Sequence, residues 1–121
     1  HEDITLLAFS PLATGFLTGK YQNDAIPKGS RMELSPTMGG RNSARVFSAV
    51  DTYLEIARKH GDSLTHLALQ WCRARPFPTI PIFGATTLAQ LNKILEGTEV
   101  KLSDELMNEV SEAHKAHPMP Y

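Results

Sequence analysis

Two short segments of the sequence combine small residues, hydroxyl groups and backbone N–H groups in a way that suits the binding of an anion. The first is Ser10-Pro11-Leu12-Ala13-Thr14, which follows an apolar run. Its small residues allow a ligand to approach the backbone, and a short helix beginning here favours negative charge at its N-terminus. The second is Gly84-Ala85-Thr86-Thr87, which leads directly into a helical pattern. The unpaired N–H groups of a helix start and a threonine hydroxyl together offer an anion several donors.

Both segments also have an ordinary structural interpretation. Ser-Pro-Leu is a common turn sequence, and composition alone does not separate a turn from a binding loop. A threonine that caps a helix explains the second segment, and Thr87 is better placed than Thr86 to do so.

Other kinds of site are not indicated. The single cysteine, Cys72, excludes an internal disulfide framework and a cysteine-rich zinc site, and we expect it to be a small buried hydrophobic residue. No set of residues has the spacing of a nucleophile triad or of metal ligands, so we expect neither. Gly15 and Gly19 are four residues apart, which does not fit the G-x-G-x-x-G fingerprint of dinucleotide-binding folds.

The composition is that of an ordinary folded domain. The 121 residues include 12 Lys+Arg and 13 Asp+Glu, a formal net charge of -1, and 41% are hydrophobic. This balance excludes intrinsic disorder and gives no basic excess for nucleic acid or anionic membranes. The apolar runs are far shorter than a membrane span requires. The acidic start, His1-Glu2-Asp3, lacks the positive region of a signal peptide, so we expect a soluble cytoplasmic protein.

The order of predicted elements indicates an α/β fold. Short apolar runs predict strands over 4–9 and 79–83, and their lack of alternation favours strands buried on both faces. Between them, residues 22–42 show no periodicity and predict a long loop, followed by helices capped at Asn42 or Ser43 and at Asp62-Ser63. Further helices are predicted over 88–96 and from Ser103. Two strands are too few for a stable parallel sheet, so the chain is interpreted as part of a larger α/β unit.

Two motifs turn this general interpretation into a family resemblance. The segment from Ala8 to Tyr21, AFSPLATGFLTGKY, resembles the seventh-strand segment of the aldo-keto reductases, which are NADPH-dependent (β/α)8-barrel enzymes. Further along, Ile80-Pro81-Ile82-Phe83-Gly84-Ala85-Thr86-Thr87 with Gln90-Leu91 is similar to the eighth strand and phosphate-binding helix start of that family. Gly29-Ser30-Arg31 fits the branch that includes the Tas-like bacterial reductases and the potassium-channel β-subunits.

The resemblance implies the fold and the extent of the site. It covers the C-terminal part of a (β/α)8 TIM barrel, about two strands plus helices, whereas a whole barrel takes about 250 residues. We therefore interpret residues 1–121 as the C-terminal NADP-binding portion of such a barrel. The catalytic Asp, Tyr, Lys and His of the family lie on earlier strands, and no residue of this chain matches them. The expected catalytic set in this chain is accordingly empty.

The resemblance also implies roles for individual residues toward NADPH. The ring of Phe9 lies against the nicotinamide, and Ser10, Pro11, Leu12, Ala13 and Thr14 follow the pyrophosphate. Lys20 and Arg31 supply positive charge to the phosphates, while Gly84, Thr86 and Gln90 hold the adenosine ribose and its 2′-phosphate. Without the resemblance, Phe9 is interpreted as a core aromatic residue and the two cations as solvated surface groups.

One position departs from the family pattern. Where the family commonly has Glu-Asn holding the adenine, this chain has Lys93-Ile94. The resemblance therefore supplies no adenine contact here.

Three hypotheses for function follow. In the first, the chain belongs to an enzyme that passes a hydride from NADPH to a small-molecule carbonyl. In the second, it belongs to a redox-sensing regulatory or binding module like the channel β-subunits, and in the third it is an inactive truncated fragment. Because the predicted strands lack neighbours, we expect self-association or a partner chain that completes the barrel.

Overall fold

The computed structural model describes residues 3–120, so His1 and Glu2 of the acidic N-terminal triplet lie outside the described residues. Two strands, β1 (Leu6–Phe9) and β2 (Thr79–Ile82), are separated by most of the helices. The α-helices are α1 (Arg31–Leu34), α2 (Ala44–Lys59), α3 (Leu64–Arg73), α4 (Leu88–Glu96) and α5 (Asp104–Ala116), and two 3₁₀ helices span Ala13–Thr18 and Met38–Gly40. This order confirms the predicted strand–helix–strand arrangement.

The two strands form a parallel ladder that is shorter than predicted. Leu6 pairs with Thr79, and Phe9 pairs with Ile82 at the other end. The first bond of the ladder is donated by the Leu6 N–H to the Pro78 carbonyl at 2.9 Å. Residues 4 and 5 stay outside the ladder because Pro78 offers a carbonyl oxygen but no N–H group.

One face of this sheet is open and the other is only partly covered, so the expectation that both faces are buried is wrong. Ladder partners share a face, which places Leu6, Ala8, Thr79 and Pro81 on the side of the helices, where α3 packs on β2 and Leu6 is still 48% exposed. The opposite face is entirely apolar and open, with exposed fractions of 58% for Leu7, 83% for Phe9, 53% for Ile80 and 48% for Ile82. We call these four residues the open sheet face. No element within residues 3–120 covers it.

The core lies among the helices. The first 3₁₀ helix, the following loop, α2, α3 and α5 bury a continuous cluster that includes Phe16, Tyr21, Met32, Met38, Val46, Val50, Leu64, Leu67, Leu106 and Val110. The Phe16 ring makes edge-on contacts with Tyr21 and Phe47, with ring centroids 5.5 and 5.8 Å apart. This core holds together the helices that pack against the sheet, and none of the four residues of the open sheet face belongs to it.

The predicted loop over 22–42 is wrong at two places. Residues 31–34 form α1, which Ser30 caps by accepting a hydrogen bond from the Glu33 N–H, and 38–40 form a 3₁₀ turn. Met32 and Met38 are buried in the core. A single helical turn is too short to show a period, but the S-x-x-E pattern of Ser30 and Glu33 is a capping signal that was available.

The longer helices begin where the sequence predicts. Ser43, Ser63, Thr87 and Ser103 each accept a hydrogen bond from the third N–H of the helix that they precede. Gly61 follows α2 in the left-handed conformation at φ 73°, which suits glycine. None of the helices in residues 3–120 is long and apolar enough to cross a bilayer.

Candidate functional site

The parallel register brings the two donor segments to one edge of the sheet. Phe9 and Ile82 are the last residues of β1 and β2 and pair with each other. Ser10 and Phe83 therefore leave the sheet side by side, one from each strand. In α/β folds, ligands bind at the carboxyl ends of parallel strands, which is where these segments begin.

The first segment has an unusual backbone. Ser10, Ala13 and Thr14 have φ values of 51°, 49° and 59°, a left-handed conformation that non-glycine residues seldom adopt. Each such residue costs on the order of 1 kcal/mol, and residues of this kind cluster at ligand sites. A 3₁₀ helix spans Ala13–Thr18, but Thr14 and Gly15 within it have left-handed dihedral angles, so its first turn lacks helical geometry.

Not all backbone donors of this segment are occupied within the chain. Pro11 has no N–H group, and the Ala13 N–H donates to the Ser10 carbonyl at 3.0 Å. Within residues 3–120, the N–H groups of Leu12 and Thr14 donate no turn or loop hydrogen bond to a backbone carbonyl. The parallel pairing of Phe9 with Ile82 directs the Ser10 N–H at the Ile82 carbonyl. Two donors are thus available to a ligand.

Phe9 does not belong to the helical core of the described residues. Its side chain is 83% exposed on the open sheet face, beside the pair partner Ile82. An exposed flat ring at the end of a strand is suited to stacking against a planar ligand.

The two predicted cations differ in how they are held. Lys20 is half-buried: its Cε lies 3.1 Å from where a Cβ on Gly15 would be, and its ammonium lies 5.2 Å from the Tyr21 ring centroid. Gly15, at φ 103°, therefore leaves room for the lysine beside the first segment. Arg31 is the exposed first residue of α1, and within residues 3–120 no hydrogen bond or ion pair fixes its guanidinium.

The second segment is organised around the start of α4. Thr87 caps the helix, as the ordinary interpretation expects, because its hydroxyl accepts from the Gln90 N–H at 3.1 Å. Gln90 in turn folds back, and its Oε1 accepts from the Thr86 N–H at 2.8 Å and from the Thr86 hydroxyl at 3.1 Å. This leaves the Gln90 NH₂ group and the N–H groups of Leu88 and Ala89 as exposed donors. A Cβ added to Gly84 would meet no atom within 4 Å, so packing within the chain does not require a glycine there.

One cluster of ionisable groups was not predicted. His60 Nε2 lies 2.9 Å from a Glu109 carboxylate oxygen, and Lys59 forms ion pairs with Glu109 and, at 3.9 Å, with Glu105. The bond from Lys59 and then that from His60 lower the pKa of Glu109. His60, Glu105 and Glu109 offer ligand atoms within 4.8 Å of one another, but the Lys59 ammonium already neutralises the carboxylates. We interpret the cluster as an ion network that joins α2 to α5.

Cys72 is half-buried rather than buried, because it lies near the end of α3 where the core thins out. Burial raises the pKa of its thiol, which disfavours the reactive thiolate. The structure gives this residue no nucleophilic role.

Comparison with known proteins adds a family to this geometry. The model of the Aldo/keto reductase family matches residues 1–115. Protein tas of Escherichia coli is 36% identical over 120 residues, which cover 99% of this chain and 35% of that protein. A probable voltage-gated potassium channel subunit beta of Arabidopsis thaliana is 36% identical over 100 residues, which cover 80% of this chain and 30% of that protein.

Two further similarities concern the reductases and the fold. Aldo-keto reductase yakc [NADP(+)] of Schizosaccharomyces pombe is 30% identical over 112 residues, with 92% of this chain and 33% of that protein covered. The structure of a glycerol dehydrogenase from Gluconobacter oxydans superposes with a TM-score of 0.72 and 27% identity, covering 97% of this chain and 36% of the other. The chain thus spans about a third of the length of the relatives that it matches.

Proposed function

This chain belongs to the aldo/keto reductase family, and we propose that it supplies the NADPH-binding C-terminal portion of a carbonyl reductase. Its fold is a partial (β/α)8 barrel, in which the two parallel strands and their helices form one sector. The observation that carries the proposal is the pairing of Phe9 with Ile82, which brings both donor segments to one edge of the sheet.

The residues on this edge suit the chemistry of a dinucleotide. The ring of Phe9 packs against the nicotinamide, and the N–H groups of Leu12 and Thr14 bind the pyrophosphate with the help of Lys20. Arg31 adds a charge from a surface helix. The Gln90 NH₂ group and the exposed N–H groups at the start of α4 bind the 2′-phosphate, whose negative charge a helix N-terminus stabilises. Thr86 acts by fixing the Gln90 amide, to whose Oε1 its N–H and hydroxyl donate.

The same residues fit the shape of the group. Gly84 gives the adenosine ribose close access to the backbone, since nothing in this chain occupies the space of its missing side chain. When bound, NADPH supplies the hydride that reduces a carbonyl to an alcohol. In our proposal, the residues of this chain orient the nicotinamide and neutralise the phosphates. The proton donor comes from the rest of the barrel.

A second candidate is a redox-sensing binding module. It is favoured by the relatives whose names describe potassium channel β-subunits. Such a module would bind NADPH through the same residues, and turnover of a carbonyl substrate by the complete barrel separates the two candidates. In either case the open sheet face is covered by a partner chain, by a second copy or by further strands, and we place the protein in the cytoplasm.

Substitution of Gly84 by alanine tests the proposal. The added methyl group meets open space in the free chain, so the melting temperature is expected to stay at the wild-type value. NADPH affinity, measured by calorimetry on the 121-residue chain, is expected to fall about tenfold, the equivalent of about 1.4 kcal/mol. Ser48→Ala, at an exposed position of α2, is the control and is expected to change neither quantity. Failure of the wild-type chain to bind NADPH, or equal affinity of Gly84→Ala, would contradict the proposal.

A further inference from the structure

The helix that carries the proposed 2′-phosphate contacts is weakly anchored by apolar packing. Ile94 is the only fully buried residue of α4 and Leu91 is half-buried, whereas Leu88 and Leu95 are exposed. A helix with so little apolar packing needs other contacts to fix its direction. Those contacts come from polar side chains of α3.

Three residues on one face of α3 bind carbonyl oxygens at the C-terminal end of α4. His66 Nε2 lies 2.6 Å from the Lys93 carbonyl oxygen, and Gln70 Nε2 donates to the Gly97 carbonyl at 2.5 Å. Arg73 donates to the Thr98 carbonyl at 2.9 Å and is itself held by the Gln70 Oε1 at 3.2 Å. We call His66, Gln70 and Arg73 the carbonyl clamp.

Two members of the clamp are buried and closely fitted. His66 and Gln70 are 9% and 8% exposed although both are polar, whereas Arg73 lies at the exposed end of α3. The His66 ring lies over Gly97 so closely that a Cβ there would come within 2.2 Å of its Cδ2. Gly97 has an ordinary φ of -92°, so this position needs a glycine for the imidazole rather than for its backbone conformation.

Because α4 is long, a small change of its direction at the clamp moves its N-terminal end by a larger distance. Nine residues span about 13 Å, and a tilt of about 5° at one end moves the other end by about 1 Å. A hydrogen bond does not tolerate such a displacement. The donors of Gln90 and the first helical turn lie at the end opposite to the clamp.

We propose that His66, Gln70 and Arg73 are positioning residues, which fix α4 from its C-terminal end and so set the selectivity of the site for the 2′-phosphate. They do not contact the cofactor and act only through the direction of the helix. The claim about selectivity for the 2′-phosphate rests on the proposed function. The mechanical part, that these residues fix the direction of α4, rests only on the contacts between α3 and α4.

The test uses two variants that remove single donors. His66→Phe keeps a ring over Gly97 without the Nε2–H, and Gln70→Leu keeps the volume without the amide. Each is expected to weaken NADPH binding about fivefold to tenfold, as for one lost hydrogen bond, while NADH affinity changes less than about twofold. Val110→Ala, in the core on α5, is the control for general destabilisation and is expected to leave the NADPH-to-NADH ratio unchanged.

Hydrogen exchange of the cofactor-free protein provides a second readout. Both clamp variants are expected to accelerate exchange of the α4 amides about tenfold more than those of α2, and Val110→Ala is not. If the α4 amides exchange at the same rate in the clamp variants as in the wild type, the clamp is overturned. If exchange in α4 is faster but the NADPH and NADH affinities fall equally, the link to selectivity is overturned. The same holds if exchange is faster and neither affinity falls. If the wild-type chain binds neither cofactor, the proposed function and the claim of selectivity both fail, and exchange alone decides the mechanical part.

Discussion

Phe9 and Ile82 are register partners at the carboxyl ends of the two strands, and both side chains lie on the open sheet face. Neighbouring strands are about 4.8 Å apart, so the two donor segments begin within that distance of each other. The intervening 72 residues contain the helices that, together with α5, build the core that holds the strands together. One sheet pairing thus joins an exposed aromatic ring, a strained backbone segment and a helix N-terminus.

Gln90→Glu is expected to weaken NADPH binding without weakening the fold. A glutamate oxygen accepts the Thr86 N–H as Gln90 Oε1 does, so the start of α4 and the melting temperature are preserved. The new charge repels the 2′-phosphate, and NADPH affinity is expected to fall at least about tenfold while NADH affinity is retained. Calorimetric titration with both cofactors measures this. An unchanged NADPH affinity would contradict the role of Gln90.

The 121-residue chain alone is expected to bind cofactor without reducing carbonyls. No residue of the chain matches the proton donor of the family or the groups that tune it, and such groups are commonly worth factors of about 10² to 10⁴ each. The measurement is the loss of NADPH absorbance with an aldehyde as substrate. Turnover that scales with the concentration of the purified chain would contradict this prediction.

The open sheet face is expected to make the isolated chain self-associate. Leu7→Lys with Ile80→Lys places two charges on this face, away from the helical core, and is expected to shift the chain toward a 13.4 kDa monomer without lowering its melting temperature. Ser48→Lys adds a charge elsewhere and serves as the control. Light scattering after size exclusion, at low and high concentration, gives the mass. A wild-type chain that stays monomeric at high concentration would contradict the prediction.

The Glu109 network is expected to make stability depend on pH in acid. Lys59 and His60 lower the pKa of this carboxylate in the folded protein, so the network stabilises the fold above the ordinary range of a glutamate. That contribution is lost as the pH falls through the lowered pKa. Glu109→Gln is therefore expected to be less stable than wild type near neutral pH and equally stable in strong acid.

Chemical denaturation of the two proteins over this pH range measures the difference. Glu112→Gln removes an exposed pair with Lys115 on the same helix and is expected to have little effect. A Glu109→Gln difference that stays constant into acid would show that the carboxylate charge is not responsible.

Local signals in the sequence predict much of this fold. Ser43, Ser63, Thr87 and Ser103 cap helices where the pattern of apolar residues begins, because capping depends only on neighbours in the chain. The strands and their place in a parallel sheet follow from short apolar runs separated by helices. The family resemblance then indicates which ends of these elements meet.

Contacts between distant residues were not predictable in this way. The polar side chain of Gln70 is buried because it binds the Gly97 carbonyl. That carbonyl lies 27 residues further along the chain, at the end of another helix, so no local pattern reveals the contact. His60 and Glu109 are 49 residues apart and show no common motif. The sequence predicts a buried strand at β1. One face of β1 is nevertheless open, because no element within residues 3–120 covers it.

The central claim is that the start of α4 recognises the 2′-phosphate of a dinucleotide bound at the edge formed by Phe9 and Ile82. Direct titration of the chain with NADPH and with NADH tests it, since the two differ only in that phosphate. We predict saturable binding of NADPH with a dissociation constant at least about tenfold below that of NADH, a difference of about 1.4 kcal/mol. Equal dissociation constants for the two cofactors would contradict the claim.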